Sequence, residues 1–265
     1  MYLVGLRIMS LKPLPLTLCS LRGLKPPERP KGQTGVQVPL PLPLVMKNPH
    51  QKIWLWLWLV LYASSLSLDI FMPNTLPIYC VRFAVLILNC YYIRRYYPKN
   101  RLLQATFYLT LVADFLLVAF ASPLYGLSVF CFVQLAYLNL LLRPSWRFNC
   151  LYVLCLLGGV GLAKLLQFAP VFTIATQYGL ALSANLLITL HRYFTHRSPG
   201  NGFALVGFAC FALCDCFVML SFFSSSQLLP LPVSHLYDFC SWAFYIPAQI
   251  LLLNGAKFLV KKPKV

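Results

Sequence analysis

Eight long apolar runs, joined by short connections, constrain this 265-residue chain more than any other feature of it. They occupy 53–71, 75–97, 102–122, 124–142, 148–168, 171–194, 202–224 and 236–259. Each has roughly the 20 residues that a helix needs to cross the hydrocarbon of a bilayer. The runs are continuous and too long for strands, which argues against a barrel with alternating faces. Composition agrees, because 60% of residues are hydrophobic and only 10% are charged, proportions that a soluble domain with a polar exterior does not reach. The expected fold is all-α: a polytopic membrane helix bundle with eight transmembrane helices, in a multi-pass protein of the cell membrane.

The net charge of +17 would suggest nucleic acid as partner in a water-soluble protein. Here the basic residues sit between the apolar runs and read as topology signals instead, so no nucleic acid is expected. Arg94, Arg95, Lys99 and Arg101 lie between runs 2 and 3, Arg143 and Arg147 between 4 and 5, Arg192 and Arg197 between 6 and 7, and Lys257, Lys261, Lys262 and Lys264 at and after the end of run 8. The connections around Pro73, Pro123, Pro170 and Pro230 hold no Lys or Arg. This alternation predicts both termini in the cytoplasm, and a missed or surplus helix would break it.

Three segments follow from the same reading: a basic, proline-rich N-terminal segment over 1–52, the membrane domain over 53–260 and a basic tail over 261–265. The first carries PLPL, KPPERPKG and PLPLPL with little helical pattern, which predicts disorder. MKNPHQK, beginning at Met46, reads as a start site directly before the first run, with the earlier residues as an upstream extension; a genuine proline-rich cytosolic tail is the alternative. The ten cysteines are scattered through apolar sequence and predict reduced, buried thiols, with neither disulfides nor a metal site. WLWLW at 54–58 predicts an interfacial aromatic belt, and GGVG at 158–161 close helix packing.

Only five acidic residues exist, and two fall deep within runs: Asp114 in run 3 and Asp215 in run 7. Both runs leave the cytoplasmic side, which puts the two carboxyls at nearly equal depth, close to mid-membrane. Ionisable groups at such depth are costly and mark functional sites by default. Two of them at one level favour a neutral acid beside a potential base. The structural alternative is that each Asp only glues helices through hydrogen bonds. Gln134 and Tyr137, Tyr178 and Asn185, and Tyr245 and Gln249 lie near the same level, with spacings of three and four that put the first and last pairs each on one helix face. Arg82 is the one cation at depth apart from Lys164, which can snorkel. Two roles stand open for Arg82: bidentate binding of a lipid phosphate, or a structural counter-ion to an Asp.

The segment LVADFLLVAFASPLYGLSVFCFVQLAYLNLLL at 111–142, with ALSANLLITL at 181–190, FALCDCFVML at 211–220 and SWAFYIPAQILLLNGA at 241–256, resembles the lysoplasmalogenase-like YhhN family of multi-pass membrane proteins over about residues 75–256. The resemblance implies eight helices and kinship with hydrolases that cleave the vinyl ether bond of a lysophospholipid, releasing a fatty aldehyde without a cofactor. It places the family's two aspartates on Asp114 and Asp215 and its helix 2 cation, usually Lys followed by Pro, on Arg82 followed by Phe83. Ala113 stands where a Gly precedes the first Asp, and Gln134 where a His is common. The expected site is therefore Asp114 and Asp215 as catalytic pair, with Arg82, Gln134, Tyr137, Asn185, Tyr245 and Gln249 around the substrate. Two rival classes stay open: a transporter or proton-coupled carrier with one Asp in each half, and a non-catalytic lipid-binding relative. A discontinuous helix at the site favours the first, and bound lipid without turnover the second.

Overall fold

The computed structural model describes residues 49–72, 75–223 and 232–259, with side chains described over 52–72, 75–221 and 235–256. The expectations for the N-terminal segment up to residue 48 and for the 261–265 tail lie outside the described residues. Eight helices follow in order: α1 Pro49–Phe71, α2 Leu76–Tyr96, α3 Arg101–Val118, α4 Pro123–Leu142, α5 Trp146–Leu165, α6 Pro170–Thr195, α7 Pro199–Phe223 and α8 Pro232–Leu259. All eight are long and apolar enough to cross a membrane, so the chain is a multi-pass membrane protein.

Local chemistry sets most of the ends. α2, α4 and α6 each open with a proline in the first two positions, where the missing N–H costs nothing. α3 opens on Asn100, whose side chain accepts from the backbone N–H of Leu103 at 3.0 Å. α4 stops where Arg143 turns left-handed (φ 51°) ahead of Pro144. α1 starts earlier than expected, at Pro49, inside the segment read as irregular.

α2, α3, α4, α6, α7 and α8 pack as successive neighbours, and α8 returns to α2, so these six close a ring. α1 lies outside it against α2 and α8, and α5 outside against α6. The α7–α8 contact is the most extensive and depends on glycine. A Cβ at Gly255 would sit 3.0 Å from the backbone N of Ala204, and one at Gly207 would sit 3.0 Å from the backbone N of Leu252.

Two sequence expectations change here. Trp54 and Trp58, four residues apart, share a helix face and pack into α2, with Trp58 fully buried against Tyr92 and the Trp54 indole N–H donating to the Tyr96 hydroxyl at 3.1 Å. Only Trp56 among the three faces outward, so the stretch is mainly a packing element and not a belt. In GGVG, an added Cβ at Gly158 or Gly161 meets nothing within 4 Å, and Gly159 alone closes on a neighbour, Thr173 of α6.

These contacts predict opposite signs for one substitution at two places. Gly255→Ala is expected to destabilise the bundle by about 1–3 kcal/mol through overpacking against backbone. Gly158→Ala, with open space around it, is expected to be neutral or to stabilise by up to about 1 kcal/mol from helix propensity. Thermal unfolding in detergent checks both.

Candidate active site

Inside the six-helix ring lies a cavity of about 260 Å³, walled by α3, α4, α6, α7 and α8. Asp114 of α3 and Asp215 of α7 both line it. Each carboxyl is held by a phenol from a different helix. The Tyr245 hydroxyl of α8 donates to Asp114 Oδ2, and the Tyr178 hydroxyl of α6 donates to Asp215 Oδ2 at 2.6 Å. Asp114 is buried and Asp215 half-buried. The remaining wall is mostly aromatic and aliphatic, including Phe130, Phe211 and Leu117, with Ser241 and a third carboxyl, Asp238, also on it from α8.

Helix geometry aims these side chains. A Cβ on Gly126 of α4 would run into the Leu117 side chain and lie 3.2 Å from the Ala113 carbonyl oxygen, so the absence of a side chain there lets α3 approach α4 at the turn that carries Asp114. α8 contains Pro247, which has no N–H for the carbonyl of residue 243. That freed carbonyl, Ala243 O, accepts from the Tyr62 hydroxyl of α1 at 2.9 Å. The proline therefore sits two residues from Tyr245 without leaving an orphaned acceptor.

α3 ends earlier than its apolar run, which extends to residue 122. α3 ends at Val118, only four residues beyond Asp114, whereas α7 continues from Asp215 for eight residues to Phe223. The chain leaves α3 early because residues 119–122 form the turn before Pro123, with Ala121 at φ 45°. The cavity consequently lies toward the end of the bundle that carries the proline turns, away from the arginine-rich loops.

Arg82 is 1% exposed, and its Nη2 pairs with Asp69 Oδ1 and Oδ2 of α1 at 2.6 and 2.7 Å. Asp238 Oδ2 of α8 lies 3.8 Å away, and the guanidinium carbon sits 4.2 Å from the centre of a Trp242 ring. Of the two roles open for Arg82, this is the counter-ion arrangement, with Asp69 as the close partner and not Asp114 or Asp215. Sequence reading passed over Asp69, Asp238 and Trp242. The signal was available: with five acids in the whole chain, a buried Arg near one end of α2 has few candidate partners, and these two acids stand near the same end of α1 and α8.

The other expected residues lie apart from the cavity lining. Asn185 Nδ2 donates to Gln134 Oε1 at 2.8 Å and to the Gln134 backbone carbonyl at 3.1 Å. Tyr137 packs edge-on against Phe208 at 5.1 Å, and Gln249 is fully buried. On α4, α6 and α8 these residues follow Phe130, Tyr178 and Tyr245 toward the basic end, so they form a polar layer beneath the cavity. Among the described residues, no three His, Cys, Asp or Glu side chains come together as a metal site.

The family model described as YhhN matches residues 70–256, about seven-tenths of the chain and every residue that lines the cavity. The chain belongs to the YhhN family. No curated protein and no solved structure matches it. The match to the YhhN model starts one residue after Asp69, so the counter-ion of Arg82 lies just outside the matched part while Arg82 lies inside.

The unequal pairing of Arg82 predicts unequal costs. Asp69→Ala removes the close partner of a buried cation and is expected to destabilise by about 3–5 kcal/mol. Asp238→Asn, where the side chain is 46% exposed and the charge separation 3.8 Å, is expected to cost no more than about 1 kcal/mol. Detergent unfolding curves of the two variants test the ranking.

Proposed function

We propose that this protein is a membrane-embedded hydrolase of the lysoplasmalogenase type, acting in the cell membrane on the vinyl ether bond of a lysophospholipid. Membership of the YhhN family supports the class. The observation that carries the reading is that Asp114 and Asp215, from two separate helices, line one cavity, each tied to a tyrosine hydroxyl.

Vinyl ether hydrolysis suits such a pair. A neutral carboxyl protonates the alkene carbon remote from oxygen, and the electron pair of the double bond forms the new C–H bond. The positive charge then rests on the adjacent carbon and its ether oxygen as an oxocarbenium ion. The ionised carboxylate stabilises that cation and takes a proton from the water that adds to it, which gives a hemiacetal. Collapse of the hemiacetal breaks the C–O bond, releases the aldehyde and returns a hydroxyl to the glycerol. The logic is that of a two-carboxylate glycosidase. The phenols orient the carboxyls, and the apolar wall suits the first carbons of the alkenyl chain.

The carrier reading has less support, because α3, α4, α6 and α7 pass the cavity as unbroken helices and α8 stays helical through Pro247.

Purified protein is expected to release fatty aldehyde from a lysoplasmalogen and to leave the matching acyl lysolipid intact. Asp114→Asn and Asp215→Asn are each expected to lower that rate by about 100-fold to 10,000-fold, the usual worth of positioned acid–base groups. Turnover that survives both substitutions unchanged would contradict the assignment.

A further inference from the structure

We infer that Arg82 is a positioning residue for the carboxyl pair, acting through Trp242 and Tyr245 and not through contact with substrate. This rests on the hydrolase reading for its kinetic consequence but not for its geometry.

Arg82 does not line the cavity, and its Nη2 is engaged by Asp69. The guanidinium reaches two residues that do line it: Asp238, whose Oδ2 lies 3.8 Å from Nη2, and Trp242, with the guanidinium carbon 4.2 Å from a ring centre. Trp242 lines the cavity and stands edge-on to Tyr245, with ring centres 5.4 Å apart and planes at 90°. The Tyr245 hydroxyl donates to Asp114. An unbroken series of contacts thus runs from the ion pair to the catalytic carboxyl: Asp69, Arg82, Trp242, Tyr245, Asp114.

Each contact has an orienting character. A cation over an aromatic face is held by the ring quadrupole, most strongly for tryptophan and in a desolvated setting. An edge-on aromatic pair favours one relative orientation. A buried ion pair is a weak source of net stability, so its expected value here lies in fixed geometry. Asp69 belongs to α1 and Trp242 to α8, so Arg82 of α2 ties two helices outside and inside the ring to one point. Loss of the cation would loosen the indole and remove one of the contacts that orient the Tyr245 ring, and small displacements of a catalytic group carry large penalties in rate.

The test uses purified full-length protein with Arg82→Gln, Arg82→Lys and the exchanged pair Asp69→Arg with Arg82→Asp. The exchange keeps an ion pair between α1 and α2 but takes the cation of residue 82 away from the Trp242 ring. One readout is infrared difference spectroscopy of the carboxyl band that disappears in Asp114→Asn, which senses the Tyr245 hydrogen bond without any turnover. The other is kcat and KM for aldehyde release. Arg82→Gln and the exchanged pair are expected to shift the band and to lower kcat by about 10-fold to 100-fold. KM is expected to stay within about twofold, as for a group that does not bind the ground state. Arg82→Lys, which keeps a cation on the ring, is expected to retain the wild-type band and most of kcat. If Arg82→Gln does not fold, the exchanged pair carries the comparison. An unshifted band in Arg82→Gln or in the exchanged pair, or an exchanged pair that recovers kcat, overturns the inference. Wild-type protein that releases no aldehyde overturns the hydrolase reading instead, and the infrared comparison still decides the role of Arg82.

Discussion

A carboxyl group inside a bilayer must be neutral, paired with a cation or held by hydrogen bonds, because hydrocarbon supplies none of the solvation it loses. Four aspartates lie in the eight helices, and the bundle meets this demand in two ways. Asp69 and Asp238 share the charge of Arg82. Asp114 and Asp215 have no such cation among the described residues and are each held by a tyrosine. The difference matters chemically. Asp69 and Asp238 serve as counter-ions, whereas carboxyls held by neutral phenols suit the acid–base work proposed for them.

The architecture around the four groups follows from that division. Two helices outside and inside the ring meet at Arg82, while the ring itself encloses the tyrosine-held pair. Glycine at 126 and proline at 247 make local concessions, close approach in one case and a lost backbone hydrogen bond in the other, and each is compensated by a specific neighbour. The rest of the surface is lipid-facing and asks for little beyond apolarity, which is why α1 and α5 contribute few buried residues.

Much of this was legible in the sequence, for a physical reason: hydrocarbon thickness imposes run length, and the number of spans can be read from apolar runs and loop charges. Asp114, Asp215, Tyr178 and Tyr245 could be singled out because buried polar groups are rare in such sequence, and all four reach one cavity. The end of α3 was harder. It is set by a turn whose residues, Ala119 to Ser122, are as compatible with a membrane as the helix before them. Gln134, Asn185 and Gln249 share the helix faces of cavity residues but lie one or two turns along, a distinction that periodicity alone does not make. The ion pair was missed because it joins three helices, and its partners sit at helix ends, where a charge looks unremarkable.

The central claim is that Asp114 and Asp215 act together on one bond. The most direct measurement is an experimental structure of the full chain with a saturated alkyl-ether lysolipid, which has the shape of the proposed substrate but no double bond to protonate. The account predicts the ether oxygen and its first chain carbons between the two carboxyls, with the chain along the wall formed by Phe130 and Phe211. Lipid bound only outside the ring, with nothing between the carboxyls, would contradict it.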